Sequence, residues 1–208
     1  MATFATIRSR IADDINRSDL TSQINTAINR AISYYAKRYR FWFNETTATF
    51  NTVASQGSYT STDTSITNIR EIDYVKIAIQ SNNNYELVPV TYKTLQDDNV
   101  SNHTGDPAEY AYYKENFFLY PVPNAAKTIT VSYVKSYTDL SADADTNDFT
   151  EEAEDLIESH ASAWVYARVL KDYDAATVSK AEEKEALAAL MSETARMIST
   201  GRIVSTDF

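Results

Sequence analysis

Tyr34-Tyr35-Ala36-Lys37-Arg38-Tyr39-Arg40-Phe41-Trp42-Phe43-Asn44-Glu45 decides the reading of this chain. Six of these twelve residues are aromatic, and they stand where helical periodicity gives way to strand alternation. Large rings bury much area at little cost in conformational entropy, so a join of this kind fastens a helical layer onto a sheet. Tyr35, Tyr39, Phe41, Trp42 and Phe43 are therefore expected to pack between layers or between subunits.

Towards the N-terminus the spacing is helical. Phe4, Ile7, Ile11 and Ile15 make one amphipathic helix, broken at Asn16-Arg17-Ser18-Asp19. Ser18 or Asp19 can cap a second helix, whose apolar stripe is Leu20, Ile24, Ala27, Ile28, Ala31 and Tyr35. Lys37, Arg38 and Arg40 close that helix with the charge its C-terminus favours. A phosphate-binding basic patch is the sharper reading of the same residues.

Towards the C-terminus the chain becomes rich in Thr, Val, Ile and Tyr. Strands are expected at Thr46 to Val53, within Ile66 to Ile79, at Tyr85 to Pro89, at Tyr110 to Tyr113 and at Phe117 to Pro123. A parity change between Ile72, Tyr74 and Val75, Ile77, Ile79 predicts a bulge near Tyr74. Val90 to Asp98 holds a short helix. Ile129, Val131, Tyr133 and Tyr137 give the clearest half-buried strand. Turn spacing predicts five to seven short antiparallel strands.

Ser141 to Thr150 is polar and acidic, a crossing back to helices. Thr150 is the expected cap of a third helix, with Glu151, Glu152 and Glu154 at its positive end. Leu156, His160, Ala163, Ala167 and Leu170 form its seam. A short connection at Lys171 to Asp174 returns a fourth helix antiparallel, lined by Leu187, Leu190 or Met191, Thr194, and Met197 or Ile198. Gly201 sits where a helix C-terminal cap belongs. The fold class is α+β: a helical bundle from the N- and C-terminal helices with an inserted antiparallel β-rich region. Residues 1–43 and 150–200 form the bundle, 44–149 the β-rich domain and 201–208 a C-terminal tail.

Composition narrows the chemistry. Nineteen basic against 29 acidic residues leave a net charge of −10, which argues against a general nucleic-acid binder but does not exclude a surface that repels DNA, such as the wall of a passage through which DNA slides. The chain has no cysteine, so disulfides and thiolate metal sites are excluded. No apolar run approaches a membrane span, and the segment from Met1 to Arg8 lacks a signal-peptide core, so a soluble, non-exported protein is expected. Tyrosine outnumbers phenylalanine 15 to 8, a ring type suited to surfaces covered on assembly and equally to ordinary strands.

Only Gly57, Gly105 and Gly201 are glycines, too scattered for a phosphate-cradling loop. His103 could pair with Asp106 as a base, but no nucleophile motif accompanies it. His160, on an apolar seam without a second histidine at helical spacing, reads as a satisfied core histidine. Asp143 to Asp148 suggests a calcium loop but lacks the central glycine and the terminal glutamate. Glu151, Glu152, Glu154 and Asp155 form the densest acidic group; dipole-favoured charge is the plain reading, and a pair of hydrolase carboxylates the sharper one. No catalytic, metal or cofactor residue is assigned.

The order of elements resembles the head-to-tail adaptor, or connector, proteins of short-tailed bacteriophages. The resemblance runs from Ile24-Asn25-Thr26-Ala27-Ile28-Asn29-Arg30-Ala31-Ile32 into Arg40-Phe41-Trp42-Phe43-Asn44-Glu45 and Gln56-Gly57-Ser58-Tyr59. It continues through Gly105-Asp106-Pro107-Ala108-Glu109-Tyr110, Leu119-Tyr120-Pro121-Val122-Pro123 and the closing helix pair ending in Gly201-Arg202-Ile203. It implies a virion structural protein without cofactor, a ring of twelve copies beneath the portal protein. Such a ring extends the channel for double-stranded DNA, without gripping it, and offers a platform to the next tail component, a nozzle or fibre protein. Portal contact then falls to the tail, at Gly201, Arg202, Ile203, Val204 and Phe208. Two other readings stand beside it: a cell-wall hydrolase using the acidic cluster, and a receptor- or carbohydrate-binding module using the tyrosine-rich strands.

Overall fold

A computed structural model describes residues 1–80, 83–99 and 103–198. In chain order its elements are α1 (Phe4–Asp14), α2 (Thr21–Arg38), β1 (Glu45–Asn51), β2 (Ser58–Tyr59), α3 (Ser61–Thr64), β3 (Ile69–Gln80), β4 (Asn83–Glu86), β5 (Val88–Pro89) and α4 (Tyr92–Asp98). They continue with β6 (Thr104–Gly105), β7 (Glu109–Tyr113), β8 (Asn116–Tyr120), β9 (Val122–Pro123), β10 (Thr128–Lys135), α5 (Asp148–Glu152), α6 (Glu154–Val165) and α7 (Tyr173–Ile198). The class is mixed α+β. Contacts divide the chain into a helical unit, Met1–Asn44 with Tyr137–Phe208, and a strand unit, Glu45–Ser136.

In the helical unit, the Thr3 hydroxyl caps α1 by accepting from the Thr6 amide at 3.2 Å. Two further α1 amides, of Phe4 and Ala5, donate to the carbonyls of Asp145 and Asp143. The acidic loop thus satisfies a helix start with its backbone, and Arg8 pairs with Asp143 at 2.8 Å. α2 starts without a side-chain cap. The expected cap, Ser18 or Asp19, is corrected here: both Asp19 oxygens accept from the Arg17 guanidinium at 2.7 Å, a charge-assisted fork that outcompetes a lone amide. Thr150 is corrected likewise. Asn147 is the cap, accepting from the Phe149 and Thr150 amides, while the Thr150 hydroxyl accepts from the Asn147 amide. The helix so begun ends at Glu152, and α6 starts afresh at Glu154 because Ala153 leaves helical geometry at φ −138°.

α6 is the centre of this unit, packing against α1, α2, α5 and α7. It therefore buries Ile157, Ala161, Ser162 and Val165 in addition to Leu156 and Ala163, more than the single seam expected from its spacing. A π-helical turn at Tyr166–Leu170 and a left-handed Lys171 end it. Asp172 then caps α7, accepting from the Ala175 amide at 3.0 Å. α7 runs back antiparallel: Tyr166 shares a cavity wall with Ala175 and Ser162 with Ser179, while Leu156 lies with Ala186 and Leu190 further on. Its inner face is Ala176, Ser179, Leu190 and Thr194 with half-buried Leu187, whereas Met191, Met197 and Ile198 are exposed.

The strand unit holds two four-stranded sheets, ordered β1-β10-β3-β4 and β2-β8-β7-β5, and a β6-β9 pair. β1 and β10 pair antiparallel from Glu45 opposite Val134 to Asn51 opposite Thr128. On β3, Tyr74 faces Ser132 and Ile72 faces Tyr133, which leaves Asp73 as the extra residue of a bulge. Ten strands are present among the described residues, above the expected five to seven, and two pairings are parallel rather than antiparallel, β5 with β7 and β6 with β9. Each is a two-residue pairing across a long connection, which contains α4 and β6 in one case and the β7–β8 hairpin in the other, as parallel pairing requires. The alternation read through Tyr137 ends at Lys135, and Tyr137 belongs to the helical unit. Phe50, Tyr59, Phe117, Leu119, Ile129 and Val131 form the core of this unit.

Candidate functional site

The aromatic stretch that opens the sequence reading collects inside the helical unit. Trp42–Asn44 make one 3-10 turn, closed by the Asn44 amide on the Phe41 carbonyl at 3.0 Å. Phe41 is fully buried and Phe43 nearly so; their ring centroids lie 5.3 Å apart, and Phe149 meets them edge-on at 6.1 and 5.2 Å. Tyr39 stacks on Phe41 and Trp42 meets Phe43 edge-on, both half-buried. Tyr137 closes the cluster against Phe149, and its hydroxyl lies 2.6 Å from Asp148 and 3.0 Å from the buried Asn44 amide oxygen. Burial and the Asp148 carboxylate push the Tyr137 phenol far above its ordinary value.

Tyr35 points elsewhere. It is fully buried and donates to Glu183 of α7 at 2.5 Å, and the same carboxylate oxygen lies 2.9 Å from His160 Nδ1 on α6. One carboxylate thus ties three helices. Burial pushes the Glu183 carboxyl up, but the bonds from His160 and Tyr35 outweigh it and hold it below its ordinary value. Burial and the bond to Glu183 push the Tyr35 phenol up. His160 is the satisfied histidine its seam position implied. Sequence reading missed Glu183, although a signal exists: Ala176, Glu183 and Leu190 repeat at heptad spacing, and a charge on such a seam needs a partner.

Beside this triad runs an open groove of about 610 Å³, walled by Tyr34, His160, Thr177, Lys180, Ala181, Glu183, Lys184 and Leu187. Arg38 covers the Tyr34 ring at 3.9 Å, so the basic end of α2 borders it. A second groove, of about 520 Å³, is lined by Asp14 of α1, Asp155, Glu158 and Tyr166, and by Val178 and Glu182 of α7. Burial and the neighbouring Asp14, Asp155 and Glu154 raise the Glu158 carboxyl, with Arg10 at 3.7 Å opposing them. The helical unit therefore carries basic and acidic grooves, both bordered by α7.

The acidic group stays together: Glu151, Glu152, Glu154 and Asp155 line a smaller hollow of about 310 Å³ near the end of α7, and Glu154 pairs with Arg10 at 3.3 Å. Asp106 is held by Lys127, not by His103, which is exposed and offers its carbonyl to the Val122 amide. In the calcium-like segment Asp143 pairs with Arg8, Asp145 accepts from the Ser141 and Ala142 amides, and Asp148 accepts from Tyr137. In the strand unit Tyr92 stacks on Tyr113 at 4.8 Å and meets Phe118 at 4.6 Å. Gly201, Arg202, Ile203, Val204 and Phe208 lie outside the described residues. Among the described residues, no group of three or more histidine or carboxylate side chains is placed to hold a metal. Nor is any helix among them long and apolar enough to cross a membrane.

The family model for the SU10 adaptor protein matches residues 2–205. The chain belongs to that family. The match takes in both units and reaches into the C-terminal tail, so the resemblance to phage adaptors holds over nearly the whole chain. As an SU10 adaptor the chain is a phage structural adaptor protein, of the kind found in the virion. No curated protein matches it.

Proposed function

We propose that this adaptor forms a ring beneath the portal protein, extends the DNA channel and joins head to tail. The observation that carries the reading is the adaptor-family match over residues 2–205. In this reading the N- and C-terminal helices form a bundle, and residues 201–208 leave it to contact the portal through Gly201, Arg202, Ile203, Val204 and Phe208. Twelve copies surround double-stranded DNA without gripping it, for which a net charge of −10 is suited. The side facing away from the head receives the next tail component, a nozzle or fibre protein. The role requires surfaces, not reacting groups. Unmatched charge and open grooves on the helical unit supply such surfaces, and the buried aromatic cluster around Phe41 and Phe149 stiffens the body that bears them.

Native mass spectrometry of the chain alone and mixed with its portal tests this. A monomer alone and a ring of about twelve copies on the portal are expected, with loss of portal binding when residues 201–208 are removed. A chain that stays monomeric and unbound in the presence of portal would sink the proposal. A stable ring of isolated chain would overturn the assembly order, in which docking precedes closure.

A further inference from the structure

The basic and acidic grooves lie on different sides of one helix. Each residue turns an α-helix by about 100°, so Lys180 and Glu182 point about 200° apart. Lys180 and Lys184, one turn apart, face the first groove on the same side as Thr177 and Ala181, and with Arg38 they outnumber its one carboxylate, Glu183, which already holds Tyr35 and His160. Val178 and Glu182 face the second, where Asp155 and Glu158 of α6 and Asp14 of α1 add to the negative charge. Neither groove is purely polar: Tyr34 is 36% exposed in the first and Val178 61% exposed in the second. None of Lys180, Lys184, Glu182 and Asp155 has an ion-pair partner within the described residues.

We propose that neighbouring copies of this chain dock flank to flank along α7, the Tyr34–Lys180–Lys184 side of one against the Asp155–Val178–Glu182 side of the next. The occupant of each groove is thus a second copy, and the argument for it is charge complementarity between two surfaces of the same molecule. Each flank repels itself, so a two-fold dimer built on either one is disfavoured. Two different surfaces that fit one another give a head-to-tail contact, which repeats and closes when its rotation divides a full turn. The apolar side chains Tyr34, Leu187 and Val178 supply burial, and the charges set partner and direction. Both flanks belong to the helical unit. The inference rests on the ring reading above and specifies its lateral interface.

Charge reversal tests it. The full chain is mixed with portal, and assembly is measured by mass photometry at low and physiological salt, with circular dichroism to verify folding. Lys180→Glu with Lys184→Glu is expected to lower the fraction of complete rings at least tenfold. Asp155→Lys with Glu182→Lys should do the same. Mixing the two double variants one to one, or combining all four substitutions in one chain, is expected to restore rings, because opposite charges then face each other again. Full assembly of either double variant would overturn the interface and leave the ring reading intact. Loss in both without restoration would overturn the pairing of these two flanks. A wild-type chain that never forms rings overturns the ring reading and this inference with it.

Discussion

Tyr59 of the strand unit and Tyr35 of the helical unit are both fully buried, yet their hydroxyls end on different kinds of partner. Tyr59 bonds the backbone of its own loop, donating to the Gln56 carbonyl at 2.7 Å and accepting from the Val53 amide at 3.0 Å. Tyr35 reaches a carboxylate 148 residues away. Thr52, also in the strand unit, bonds the backbone of Ala125 and Lys127, 73 and 75 residues away but next to the β1–β10 ladder that already pairs these segments, while Asn29 of α2 clasps both backbone groups of Leu140, where no ladder joins them. A sheet fixes its long-range register through main-chain bonds, so buried polar side chains are free to stiffen turns. Helices exhaust their main-chain bonds internally, so side chains must set how one helix meets another.

The largest effect is expected from emptying the cores. Phe149→Ala and Phe117→Ala each remove a fully buried ring and should each cost about 3–5 kcal/mol in urea unfolding. Hydrogen exchange sharpens the comparison: Phe149→Ala should loosen amides of α2 and α6, and Phe117→Ala those of β7 and β8. Equal loss of protection throughout the chain in both variants would show that the two cores do not melt separately.

A middle-sized effect separates the two tyrosines. Tyr35→Phe leaves the Glu183 carboxylate short of a donor inside the protein and should cost about 1–3 kcal/mol, whereas Tyr59→Phe forfeits bonds within one loop and should cost about 0.5–1.5 kcal/mol. The reverse ranking in thermal melts would break the proposed division of labour.

The smallest effect is a pH dependence. Glu183 is held below its ordinary 4.5 in the fold, so its contribution is fully present above about pH 4.5 and is lost as pH falls through the depressed value. Tyr35 and Tyr137 are held above their ordinary 10.0, so theirs is present below pH 10 and fades as pH rises towards the raised values. Glu183→Gln should flatten the acid limb of the melting temperature against pH, and Tyr137→Phe the alkaline limb. An unchanged slope in either variant would show that these groups do not carry the titration.

Much of the chain was legible before any fold was known. The 3.6-residue spacing of Phe4, Ile7 and Ile11, and of Ile24, Ala27, Ile28 and Ala31, marks helices whose buried faces are those residues. The parity change at Tyr74 marked a bulge, and the extra residue is its neighbour Asp73. Reading failed where several polar side chains competed. Asp19 was available as a cap and went to Arg17; Thr150 looked like a cap and serves as the third residue behind Asn147. The Thr60-Ser61-Thr62-Asp63 capping box of α3 carries a sequence signal as well, for a helix of only four residues.

The sequence by itself determined the long helices and the main strands, which side of most of them is apolar, and the net negative charge, because these follow from residue type and spacing along a few turns. Only the tertiary structure decided that α6 would be covered on several sides and that Glu183 would sit between His160 and Tyr35. It also decided that α7 would carry opposite charge along its two grooves. Those outcomes depend on which faces of distant segments meet, and periodicity gives each helix a buried face without saying what will cover it.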